Sequence, residues 1–213
     1  MPLRNTPDTY GSVHKALHWL IALAVIGLAT VGLIMDDMPN SPDKIKIYAL
    51  HKSFGLTVLA LVLLRLVWRW TNPRPVLPAT MKPWEHKLAG FVHFGLYAML
   101  LAMPLSGWLF NSAANFPLKW FGLFSVPPLA GPDRDLKEIA KALHYWGFWL
   151  LAGLFTLHVV GALKHHFVDR DDVLKRMLPG KRAASTPLPL ETPLPEPAPI
   201  AVPAPEPIPE NRP

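Results

Sequence analysis

Four long apolar runs divide the chain, at Leu17–Met35, Leu50–Trp70, Leu88–Phe110 and Tyr145–Leu163. Each is close to the roughly 20 residues a helix needs to cross a hydrocarbon core about 30 Å thick. Arg65 is the one charge placed well inside them, and the runs mostly lack the polar stripe of a helix in a water-soluble bundle. The pattern predicts an all-α fold, a transmembrane four-helix bundle whose backbone polar groups are satisfied within the helices. Residues 1–15 read as an N-terminal flank, 16–180 as the membrane domain and 181–213 as a Pro/Ala-rich tail.

Composition agrees with this division: of the 213 residues, 51% are hydrophobic and 17% charged. The flank MPLRNTPDTYGSVHK lacks the compact basic region and small-residue cleavage site of a secretory signal, so the first span is expected to remain in the mature chain. The net charge of +6 is distributed topologically. Arg69, Arg74, Lys82 and Lys87 face only Glu85 between spans two and three, and Lys164, Arg170, Lys175, Arg176, Lys181 and Arg182 follow span four. The loops Asp36–Lys46 and Asp133–Lys141 mix acids and bases. Cytoplasmic loops carry the excess of Lys and Arg, which places both termini and the loop around Pro78 in the cytoplasm. The charge is therefore no argument for a nucleic-acid partner. Closely spaced prolines after Gly180 predict a disordered, partly extended tail with no catalytic role.

No cysteine is present, which excludes disulfides, thiolate-held iron–sulfur clusters and covalent c-type haem. Nine histidines are present, and four sit at informative depths. His18 opens span one and His158 lies late in span four, so both fall toward the cytoplasmic side; His51 opens span two and His144 precedes span four, so both fall toward the other side. The 14 residues between His144 and His158 correspond to about 21 Å of helix rise, with a rotation only about 40° from one common face. One straight helix cannot bring both to one metal ion, but it can serve two haems stacked at different depths. The pairs are His18 with His158 and His51 with His144. A neutral imidazole on each side of iron leaves no open coordination position, which suits electron transfer and not oxygen binding. Ala22, Gly55, Gly147, Gly161 and Ala162 lie three or four residues after these histidines and are expected to make room beside the rings.

Arg65 follows His51 by 14 residues and returns to the same face at the cytoplasmic end, where a haem propionate is its expected partner. Arg69 has either that role or a headgroup role, and Lys52 either serves the outer haem or is an interfacial lysine. His93, in span three, either replaces one of the proposed ligands or bonds a propionate. His14 and His86 are expected at the headgroups or surface.

The segments LHWLIAL around His18, HKSFG with RLVWR after His51, HFGLYAMLLAMPLSG in span three and LHYWGFWLLAGLFTLHVVGALKHHF in span four resemble the bacterial cytochrome b561 family. The downstream DDVLKRMLPG extends the likeness, which covers about residues 10–180. The resemblance implies a four-helix diheme protein of the inner membrane with two noncovalent haem b groups. It implies the same iron ligands, His18 with His158 and His51 with His144, and matches Arg65 to a basic residue of the second helix. His93 matches a family histidine that is not an axial ligand. The implied function is electron transfer across the membrane, coupled to ubiquinone or quinol, with superoxide a candidate periplasmic electron donor; the chain would then be a quinone-linked oxidoreductase. A more distant resemblance to the cytochrome b subunits of hydrogenases and formate dehydrogenases keeps a redox-subunit partner open. A non-redox transporter with histidines relaying protons is the third alternative.

Overall fold

Each apolar run lies within a helix longer than hydropathy alone predicts. In the computed structural model, which describes residues 2–7, 9–73, 75–76 and 81–179, helix α1 spans Ser12–Asp37, α2 Pro42–Trp70, α3 Pro83–Ala113 and α4 Arg134–Phe167. All four are long and apolar enough to cross a membrane. The chain is thus a multi-pass membrane protein of all-α class.

Polar residues fix the helix ends beyond the apolar runs. The Ser41 hydroxyl accepts from the Lys44 amide at 3.2 Å and Pro42 stands in the first turn of α2, where its missing N–H costs nothing. Asp133 caps α4 by accepting from the Leu136 amide at 2.8 Å. That cap starts α4 eleven residues before the run at Tyr145, on the amphipathic stretch RDLKEIAKALH, and so puts His144 inside the helix.

The helices pack in chain order, α1 on α2, α2 on α3 and α3 on α4, while α4 makes at most marginal backbone contact with α1 or α2. The apolar core follows the same division: Ile21, Val58 and Val62 are buried at its centre, with Ala24, Val25, Leu28, Leu61, Leu66, Tyr97, Leu100 and Leu101 around them, all from α1, α2 and α3. Helix α4 therefore leans on α3 and stands off from the other two. Large apolar side chains such as Leu23, Phe94 and Trp146 are exposed along the helices, a cost in water that lipid removes.

The turn between α3 and α4 holds an element the apolar pattern does not predict. Strands β1 (Lys119–Trp120) and β2 (Phe124–Ser125) pair antiparallel through a turn in which Phe121 and Gly122 both take positive φ, 47° and 77°. Ser53 anchors this hairpin to α2. Its hydroxyl donates to the Ala49 carbonyl at 2.8 Å and accepts from the Phe121 amide at 3.0 Å, while Trp120 Nε1 donates to Thr57 Oγ1 at 3.1 Å. We call this the hairpin end of the bundle.

At the opposite, terminal end, both flanks fold back onto the helices. Gly11 donates to Asn5 Oδ1 at 2.9 Å, and a β-carbon at Gly11 would fall 2.3 Å from the Leu3 carbonyl oxygen, so only glycine admits this return. After α4, residues 168–179 pass beneath α1, where Trp19 Nε1 donates to the Met177 carbonyl at 2.8 Å and Lys15 Nζ to the Leu178 carbonyl at 3.2 Å. Arg176 reaches the Val76 carbonyl. The expected Pro/Ala-rich tail and the tip of the loop at Pro78 lie outside the described residues.

Candidate functional site

The four singled-out histidines meet in two pairs, one toward each end of the bundle. The ring centres of His18 and His158 are 6.1 Å apart near the terminal end, and those of His51 and His144 are 6.3 Å apart near the hairpin end. Each pair bridges the space that α4 leaves toward α1 or α2. An imidazole nitrogen lies about 1.1 Å from its ring centre, so two nitrogen–metal bonds of about 2 Å on opposite sides of one ion set the centres about 6 Å apart. Both separations fit that arrangement.

The tautomer of His144 fits as well. Its Nδ1 lies 3.0 Å from the Met103 carbonyl oxygen and 3.1 Å from Ser106 Oγ. A carbonyl only accepts, so Nδ1 carries the proton and Nε2 keeps the lone pair a metal needs. His51 Nδ1 is buried without a partner among the described residues. Glycines border both rings: a β-carbon at Gly107 of α3 would fall 3.2 Å from His144 Cε1, and one at Gly32 of α1 would fall 3.4 Å from His51 Cε1. Neither glycine stands near its histidine in sequence, and both were invisible to spacing arguments.

Of the small residues expected beside the rings, Gly55 and Gly161 have no atom, ring atoms included, within 4 Å of a built β-carbon. Gly147 corrects the expectation. It faces α3, where a β-carbon would meet Met103 Sδ at 2.8 Å and Met99 Cε at 3.1 Å, so its role is close packing of α4 on α3.

Around His18 and His158 the terminal end gathers donors and cations. Arg65 Nε donates to the Tyr97 hydroxyl at 2.9 Å, and the Arg65 and Arg69 guanidiniums lie 5.9 and 5.4 Å from the Tyr97 ring centre. His93 joins the group, with its ring centre 5.2 Å from that of His158. His86 is exposed, as expected, but His14 is not a surface residue: it is 4% exposed and stacks on Tyr10 at 4.5 Å. The returning N-terminal flank, unseen in the pattern, contributes to covering it. At the hairpin end Lys52 Nζ donates to Asn111 Oδ1 at 3.0 Å, an anchor that distinguishes it from a free interfacial lysine.

One further cluster has metal-ligand character. His165 in the last turn of α4 and Asp169 and Asp171 just beyond it bring one ligand atom each within 4.8 Å of one another. Hydrogen bonds and ion pairs account for these groups: His165 Nδ1 is 2.7 Å from Asp171 Oδ2, and Lys164 Nζ lies between Asp169 at 2.7 Å and Glu85 at 2.6 Å. The network ties the end of α4 to the first turn of α3. A bis-histidine haem asks the protein for only two ligands, so the two interhelical pairs form a different kind of site.

Comparison with known proteins agrees with this arrangement. Residues 9–180 match the family model described as prokaryotic cytochrome b561. The chain is 37% identical over 179 residues to cytochrome b561 homolog 2 of Escherichia coli (strain K12), covering 84% of this chain and 95% of that protein. It is 28% identical over 177 residues to a protein of Yersinia pestis named probable superoxide oxidase CybB, covering 81% and 97%. At 20% identity over 222 residues, covering 84% and 90%, it is similar to a probable Ni/Fe-hydrogenase B-type cytochrome subunit of Rhizobium leguminosarum bv. viciae. With this match over most of its length, the chain belongs to the prokaryotic cytochrome b561 family and is a membrane protein of electron-transfer type.

Proposed function

We propose that the chain is a diheme b-type cytochrome carrying electrons across the bacterial inner membrane between a donor at the hairpin end and the quinone pool. The observation that carries this reading is the pair of interhelical histidine contacts, 6.1 and 6.3 Å between ring centres, set at opposite ends of the gap beside α4. His18 and His158 would hold one haem and His51 and His144 the other. A bound haem supplies reversible one-electron chemistry at iron. The protein's part is to fix the ring nitrogens, keep the sites between apolar helices and set two centres at different depths. Arg65 is placed to neutralise a propionate at the terminal end. The absence of cysteine requires both haems to be noncovalent.

The basic residues of the 71–87 loop and of the chain after α4 support a cytoplasmic terminal end, with the hairpin in the periplasm. A quinone is itself soluble in the membrane and can reach a four-helix membrane protein from the bilayer. Superoxide is a periplasmic donor that needs no docking subunit, and the similarity to the Yersinia protein supports it. Denaturing extraction of the purified protein should release two b-type haems per chain; their absence from protein made in haem-replete membranes would sink the assignment. Haem reduction by superoxide and by quinols, measured separately, then gives the donor and the direction. The weaker similarity to the hydrogenase subunit favours a second reading, in which an iron–sulfur protein delivers the electrons. Co-purification with such a protein, together with no exchange with quinone or superoxide, would establish it.

A further inference from the structure

We infer that His14 is a propionate-binding residue at the terminal-end haem, an assignment that rests on the diheme reading above. His14 lies one helical turn before His18, on the same face of α1 and closer to the terminal end. It is 4% exposed, and its Nδ1 is buried with no hydrogen-bond partner among the described residues. An unpaired buried ring nitrogen costs free energy that native structures seldom leave uncompensated. Stacking on Tyr10 fixes the ring plane at 18° to the phenol and limits its escape toward solvent.

The chemistry around it selects the missing partner. Arg65 and Arg69 gather at Tyr97, 5.9 and 5.4 Å from its ring centre, and neither pairs with a carboxylate among the described residues. Arg65 spends its Nε on the Tyr97 hydroxyl and retains its other donors. Two guanidiniums and one unpartnered imidazole nitrogen thus gather at the terminal end, where the His18–His158 pair lies, with no carboxylate bonded to them among the described residues. A carboxylate answers that set, and a haem held by His18 and His158 brings its own. His14 is then a positioning residue: it would meet a propionate, not the iron, and offset that carboxylate's negative charge by hydrogen bonding it.

The test uses the full-length haem-loaded protein in lipid-free detergent. His14→Phe keeps the stack on Tyr10 and removes both ring nitrogens; His14→Gln restores a donor. The terminal-end haem is identified first as the one lost in His18→Ala. In His14→Phe that haem should keep its bis-imidazole spectrum while its midpoint potential falls and its propionate bending band in resonance Raman shifts, with the other haem unchanged. His14→Gln should return both signals toward wild type. Unchanged potential and Raman band in His14→Phe would overturn the assignment, as would a shift seen only after adding anionic lipid, which would give the site to a lipid phosphate. If His14→Phe does not accumulate, His14→Leu carries the same expectation. A wild-type protein with no haem between His18 and His158 would defeat the underlying reading instead, and haem content reveals that before any variant is compared.

Discussion

At the scale of single residues, the separation of the histidines into two pairs was legible because helical geometry alone relates positions on one helix. Fourteen residues between His144 and His158 mean two depths whatever surrounds them. What lies across from a ring was not legible, because that depends on which helices adjoin. Gly107 is the clearest case, lying on α3 with its absent side chain turned to His144. Replacing it with valine should press the imidazole out of line and strip most of the haem from the His51–His144 site. Overpacking of this kind also costs about 1–3 kcal/mol in stability. The His18–His158 site should keep its haem, and Gly153→Ala, at a position with no atom within 4 Å of the added carbon, should change neither haem. Haem content and the visible spectra of the two variants, measured side by side, check this; equal losses in both would show that Gly107 has no special relation to the ring. His14 was misplaced for a related reason. Its face of α1 could be read from the sequence, but the folding back of residues 2–7 over the helix start could not.

Elements were readable in proportion to their length. Four runs near 20 apolar residues leave little choice of structure in lipid, and all four helices are where hydropathy puts them. Their true ends were hidden, since the Asp133 cap and the polar first turns of α4 carry no hydropathy signal. The hairpin was hidden altogether: two strands of two residues each show no alternation to detect. Its attachment depends on Ser53, which is 1% exposed. In Ser53→Ala the Phe121 amide loses its acceptor, which should cost about 0.5–1.5 kcal/mol, the net contribution of an ordinary hydrogen bond, because the exposed Phe121 amide can turn to solvent. The edge contact of Phe54 with Phe121, ring centres 5.0 Å apart, would loosen with it. Thermal unfolding in detergent should begin at lower temperature, and limited proteolysis should cut sooner between Ala114 and Asp133. Haem between His18 and His158 should be unaffected. Unchanged proteolysis would mean that Trp120 and its bond to Thr57 suffice to hold the hairpin.

For the whole molecule, the decisive property is that one helix contributes to both histidine pairs while packing closely on neither partner. Helix α4 gives His144 to α2 and His158 to α1, yet leans on α3. If each pair holds a separate haem, the two should be lost independently. His18→Ala and His158→Ala should each empty the terminal-end site, and His51→Ala and His144→Ala the hairpin-end site, leaving about one haem per chain in every case. Sites separated by about 21 Å along α4 should not behave as one metal centre, so the haem that remains should keep its bis-imidazole spectrum. Transmembrane electron flux in proteoliposomes should fall severely in all four, because either haem alone covers only part of the path. That outcome separates an electron wire from a protein that merely stores haem, in which half the cofactor would leave no such functional break. Two haems and normal flux in all four variants would end the mechanism. Loss of an axial ligand in His93→Ala, with one of the four variants intact, would preserve two haems but change the pairing, a result the 5.2 Å approach of His93 to His158 makes worth testing in the same series.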